Sequence, residues 1–301
     1  MKKNILIILS GFLISGCNTS SDNKNEADIL NTKSDTLQSV NISREVLDDM
    51  MQTLPSPIEM ANLITQSKGG FKKELLIPSE NAESYSDKYS QALALGGYGV
   101  DLGYLNLNNK MLYTMNYLES INTVSKELRV NQFLDFSVLS TLAKNRNNVD
   151  SLIQISTNNF NQINEYLRSQ NRGDLSVLIL VGSWLEGLHM FTAIVQENPS
   201  DEVKKRIGEQ KVIIDNIYAI LNKIENIPYY KDLKMKLAGL KKAYAHVKIS
   251  YIYKEPEMKE VNGELVVTDN SESIIEVAPA DIQTISIEVK KLRSDIFLID
   301  K

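Results

Sequence analysis

Few side chains in this sequence combine the type and spacing that chemistry needs. Asp101 and Glu186 each stand in the middle of a long apolar segment. A carboxylate there is costly unless it is paired. Two such groups could line a pocket with Tyr98, Tyr104, Trp184 and His189, or exchange protons as an acid–base pair. They could equally each bond a nearby Tyr hydroxyl, Lys or Arg, or face solvent. Glu186-Gly-Leu-His189 has the E-x-x-H spacing of a carboxylate metal bundle, which needs the motif on two helices. The other histidine, His246, has Ala243 three positions before it, so the second copy is missing. HExxH, CxxC and EF-hand patterns and the G-x-S-x-G elbow are also missing from the sequence. No catalytic residue, metal site or cofactor is therefore expected, and the chain reads as a non-enzyme.

The one cysteine, Cys17, has a different chemistry available. Lys2 and Lys3 precede a short apolar run, and Ile14-Ser15-Gly16 leads into Cys17. The apolar stretch is shorter than the roughly 20 residues needed to span a bilayer and has the form of a signal h-region. Ile14–Cys17 reads as a lipobox. Residues 1–16 are then a lipoprotein signal peptide, and Cys17 is the lipidation site and new N-terminus. Two or three acyl chains, at about 0.8 kcal/mol per buried CH₂, anchor durably where one does not. The expected location is the outer membrane, lipid-anchored, on its periplasmic face or at the cell surface.

Composition narrows the partners. The formal net charge of −5 argues against nucleic acid, whose phosphates need a basic face. With a single cysteine no intramolecular disulfide can form, so packing alone must hold the core. The apolar share of 43% is enough to supply one. Expected partners are the membrane, through the anchor, and an envelope protein, with a small-molecule ligand as the alternative.

Residues 17–42 are polar and read as a flexible tether. Residues 43–301 read as one helical domain. Apolar residues recur at steps of three and four in Leu152, Ser156, Phe160, Ile163 and Leu167, and in Ile213, Ile217, Ile220 and Ile224. Ile282, Ile285, Val289, Leu292 and Ile296 repeat the pattern, as do Leu233, Leu237, Leu240, Tyr244, Val247 and Tyr251. The predicted helices are short ones at 43–53 and 56–67, then 80–107, 109–129, 132–146, 149–170, 173–197, 200–225, 229–254 and 279–299. Val261-Asn262-Gly263-Glu264 signals a type I′ hairpin, so a small β insertion is expected at about 257–277. A short isolated hairpin is marginal, so it should pack on the helices or pair with a partner. The fold class is all-α, a multi-helix bundle of antiparallel helices with a β-hairpin before the last one.

The glycines of Gly96-Gly97-Tyr98-Gly99 and Gly103 do not fit a dinucleotide fingerprint, and no strand precedes them. Ala92, Gly96, Gly99 and Gly103 fall on one helical stripe, which favours close approach of another helix. Gly182-Ser183-Trp184-Leu185-Glu186-Gly187 is a similar segment. An offset of about 85 places Asp101 on Glu186, so a pseudo-duplication is expected. Tyr85, Tyr89, Tyr98, Tyr104, Tyr113 and Tyr117 cluster early in the chain. The lipobox, residues 97–104, residues 182–187, and the hairpin followed by Ile287–Ile296 together resemble uncharacterised helical lipoproteins of Bacteroidota. That resemblance implies envelope localisation and brings no catalytic residues with it. The reading that follows is a non-catalytic binding or scaffolding module, or else a solute-binding lipoprotein with a pocket near Asp101 and Glu186.

Overall fold

Each predicted stripe has to find a neighbour to bury against. In a computed structural model the stripes do so as a multi-helix bundle with a small β insertion before its last helix. The structure describes residues 70–137, 149–196, 199–261, 264–268 and 271–298. The predicted helices at 43–53 and 56–67, the signal peptide, the tether and Cys17 lie outside the described residues, as does most of the predicted helix 132–146.

The helices are α1 (Lys88–Leu107), α2 (Met111–Glu127), α3 (Val149–Ser169), α4 (Gly173–Val195), α5 (Asp201–Ile224), α6 (Pro228–Ala243) and α7 (Pro279–Phe297). Local chemistry sets their ends. The Asp87 carboxylate accepts the backbone N–H groups of Tyr89 and Ser90, so α1 starts at Lys88 and not at 80. Two 3₁₀ turns, Lys73–Leu75 and Ser79–Ser84, occupy the stretch before it. Ser200 caps α5 through Val203 N–H, and Asp281 accepts Ala278 N–H at the start of α7. Helices α1, α2 and α3 close alike. Asn109, Arg129 and Asn171 take φ of 56°, 58° and 55°. The next N–H reaches back to Leu105, Ser125 and Leu167 carbonyls respectively, the six-to-one bond of a Schellman turn.

Helix α4 is the centre. It is long and apolar enough to cross a bilayer, but 83% of its most apolar window is buried inside the fold. It lies against α1 so closely that the backbones touch. A methyl group on Gly96 would overlap the Ile179 carbonyl and sit 2.8 Å from Ser183 N; one on Gly182 would overlap the Leu93 carbonyl. Ser183 Oγ donates between the carbonyls of Gly96 (3.1 Å) and Ile179 (3.0 Å). The expectation of close packing is met at Gly96 and Gly182. The stripe is narrower than drawn, because a Cβ on Gly99 would meet nothing within 4 Å.

The predicted helix 229–254 is too long. Helix α6 ends at Ala243, and Lys248–Ile252 is strand β1. Tyr244 and Val247 are buried, which extends the apolar stripe past the last helical turn. The residues beyond, Ile249-Ser-Tyr-Ile-Tyr253, have the β-branched and aromatic character that favours strands. Strands β2 (Glu257–Val261) and β3 (Glu264–Thr268) pair with Val261 opposite Glu264, as the hairpin signal predicts. Residues 262 and 263 lie outside the described residues. Strand β4 (Glu272–Glu276) returns to pair with β1, Ile249 opposite Ile275. Ile275 and Val277 rest against Gly208 of α5, where a Cβ would collide with the Ile275 methyl. The β element is therefore tied to the helices at its base.

Candidate functional site

Helices α1, α4 and α7 each place one charged side chain at a common buried point. Asp101 (α1) and Glu186 (α4) have no solvent exposure, and Arg293 (α7) is 4% exposed. Arg293 Nε donates to Glu186 Oε2 at 2.7 Å, and Nη2 donates to Glu186 Oε1 at 2.9 Å. This is the two-pronged geometry that makes Arg–carboxylate pairs strong. The same Nη2 donates to the Leu75 carbonyl at 2.7 Å, and Asp101 Oδ2 accepts Ile77 N–H at 2.9 Å.

Two carboxyls with one guanidinium leave an excess negative charge if both are ionised. Burial, then the charge of Glu186, pushes the Asp101 carboxyl well above the usual carboxylate range. Burial also raises Glu186, but the charge and hydrogen bonds of Arg293 oppose it. Of the two carboxyls, Asp101 is the one held further toward its protonated form. This accounts for Asp101 Oδ1, a buried oxygen that no donor faces: once protonated, it donates to Glu186. The cluster is then neutral, one ion pair plus one carboxylic acid.

The residues around this centre hold one segment, 72–85, like a strap. Lys72 N–H donates to the Tyr104 hydroxyl at 3.1 Å. Tyr117 donates to the Ile77 carbonyl (2.6 Å), Tyr98 to Pro78 (3.0 Å) and Ser120 to Ser79 (3.0 Å). From the strap, the Asn81 amide and the Tyr85 hydroxyl both donate to the Phe297 carbonyl at the end of α7, at 3.0 and 2.9 Å. With Arg293 and Asp101 the strap is fastened at eight points. Six of the eight are bonds to the strap's own main-chain atoms.

The six residues singled out in the sequence divide into three groups. Asp101 and Glu186 meet, and Tyr98 and Tyr104 grip the strap. Trp184 points elsewhere, with its Nε1–H donating to Gln210 Oε1 at 3.0 Å. His189 is buried and held neutral: burial first, then the charges of Arg293 and Lys290, pull its pKa down to about 3. The carboxyls thus converge on each other and on Arg293, closed off from solvent. The described residues include an open groove elsewhere, lined by Val195, Gln196, Pro199, Lys204, Ile282 and Ile287, which none of the six touches. Among the described residues no group of three His, Cys, Asp or Glu is placed to hold a metal ion.

Sequence reasoning missed Arg293, Tyr117 and Ser120. Arg293 had a signal: it lies four residues after Val289 and four before Phe297, both fully buried, so a cation on a core-facing stripe needed a buried anion. The strap had none, because its contacts are to main-chain atoms. Comparisons with protein-family models, with curated proteins and with solved structures find no match.

Proposed function

We propose that this chain is a cell-envelope lipoprotein, held at the outer membrane through Cys17, whose helical body acts as a non-catalytic binding or scaffolding module. The observation that supports this most is what the inward chemistry is used for. Asp101, Arg293, Tyr98, Tyr104 and Tyr117 fasten the strap, a segment of the chain's own body. A scaffolding module spends its inward polar groups in this way, on holding its own chain. A solute-binding lipoprotein needs such groups turned toward a space, and here both carboxyls are closed off from solvent.

The test is native mass spectrometry of the chain from residue 17, with Cys17→Ser, purified from its own host. The bare chain mass, or the mass of a discrete complex with another protein, is the expected result. A small molecule retained in stoichiometric amount would instead establish the solute-binding alternative. Acyl mass on Cys17 in protein extracted from host membranes tests the anchor separately.

A further inference from the structure

Strands β1 and β4 form a ribbon that is open to water. All five residues of β1 are exposed, and so are four of the five in β4. Among the described residues β1 has β4 on one side and no strand on the other. A two-stranded ribbon is marginal in water. An edge strand offers its backbone to another strand unless charge, proline or a cover blocks it. The two edges of the ribbon differ in that respect. Glu272 and Glu276 stand at the two ends of β4. The one charge in β1 is Lys248, which pairs with Glu276 of the neighbouring strand at 3.9 Å. Ile249, Tyr251 and Ile252 stand out from β1, at 37%, 61% and 44% exposure. Ile249 and Tyr251 share one face of the ribbon, and Lys248, Ser250 and Ile252 share the other.

We propose that the β1 edge pairs with the β1 edge of a second copy of this chain, antiparallel about a two-fold axis at Ser250, to make a four-stranded sheet. A two-fold contact must be self-complementary, and the residue order of β1 is. With Ser250 on the axis all five residues are paired. Ile249 faces Tyr251 of the second copy on both sides of the axis, and Lys248 faces Ile252. An aromatic residue opposite a β-branched one is a favourable cross-strand pair, and here it covers the two exposed apolar side chains of that face. No like charges meet. The β4 edge fails the same requirement, because a two-fold axis at Ile274 sets Glu272 against Glu276 of the second copy at both ends. Moving the β1 axis to Tyr251 sets Lys248 against Lys254 of the second copy, so charge also selects the register. The contact is small, so the dimer belongs to the weak class and forms at high protein concentration. It goes beyond the module reading and needs neither the lipid anchor nor a ligand.

The experiment is sedimentation equilibrium of the chain from residue 17, with Cys17→Ser, over a concentration series that reaches its solubility limit. A monomer–dimer equilibrium that stops at the dimer is expected. Position 252 reads the register. Ile252→Lys sets two lysine pairs across the axis and should weaken the dimer about fivefold. Ile252→Glu sets a glutamate against Lys248 twice and should strengthen it about fivefold. Within one chain the preference is reversed, because Ile252 faces Glu272 of β4. Lysine there suits the ribbon and glutamate opposes it. Circular dichroism melts of the two variants therefore separate dimer strength from a change in the fold. A chain that stays monomeric throughout, or dimers whose strengths follow the melts, would overturn the proposal. So would growth past the dimer without limit, which is what β1 pairing with β4 of the next copy gives.

Discussion

Replacing Asp101 by Asn should remove a pH-dependent cost that the parent protein carries. In the folded chain Asp101 keeps its proton because it is fully buried beside Glu186. Unfolded, it ionises near a pKa of about 3.9. Its folded pKa is raised, so the stability it contributes is full below about pH 3.9 and is lost as pH climbs toward the folded value. Each pH unit in that window costs about 1.4 kcal/mol. Asparagine mimics the protonated acid: its oxygen can accept Ile77 N–H and its amide can donate to Glu186. The assay is urea unfolding of both proteins at half-unit pH steps. The advantage of Asp101→Asn over the parent should grow by about 1.4 kcal/mol per unit until the folded pKa is reached. His189 titrates in both proteins and cancels in the difference. A difference that stays flat from pH 5 to 8, or a uniform loss on substitution, would show that Asp101 is ionised and that the shared-proton account is wrong.

Arg293→Met should destabilise by about 3–5 kcal/mol, because it leaves Glu186 buried without its cation; adding Glu186→Met should recover most of that loss in the same denaturation assay. Gly96→Ala forces a methyl into the Ile179 carbonyl and should cost about 3 kcal/mol or more. Gly99→Ala, where there is room, should stabilise by up to about 1 kcal/mol, so thermal melts of the pair should move in opposite directions. His189 has a folded pKa near 3, well below its ordinary value. Its contribution is present above about pH 6.5 and is lost as pH falls, by about 2 kcal/mol at pH 5. The stability difference between the parent and His189→Gln should shrink by that amount between pH 7 and 5.

Several elements could be read from residue order because their causes are local. The helices announce themselves through three- and four-residue apolar spacing. The β2–β3 register follows from the turn residues between Val261 and Glu264. The glycines at 96 and 182 signal close contact because glycine weakens a helix unless something occupies the space it frees. The misreadings also have physical reasons. The predicted helix 229–254 overruns α6, which ends at Ala243, because Tyr244 and Val247 are buried at helical spacing although they belong to the turn into β1. That strand is stabilised by β4, more than twenty residues away, and no local pattern records such pairing.

The candidate site divides along the same line. That Asp101 and Glu186 needed partners followed from their apolar neighbours alone, because an unpaired buried charge is too costly to persist. Which partners they found was a matter of tertiary structure. Arg293 lies 107 residues from Glu186, and Ile77 lies 24 residues before Asp101. Only the crossing of α1, α4 and α7 brings them within hydrogen-bond distance. Most of the strap's fastenings are to its backbone, which no side-chain pattern records, and its own side-chain bonds, from Asn81 and Tyr85, reach a carbonyl more than two hundred residues away. The sequence by itself determined that this is a helical chain with costly carboxyls and close-packed glycines. The tertiary structure decided that Arg293 pairs with Glu186, that burial beside Glu186 pushes the Asp101 carboxyl up, and that Asp101 and Arg293 fasten the strap.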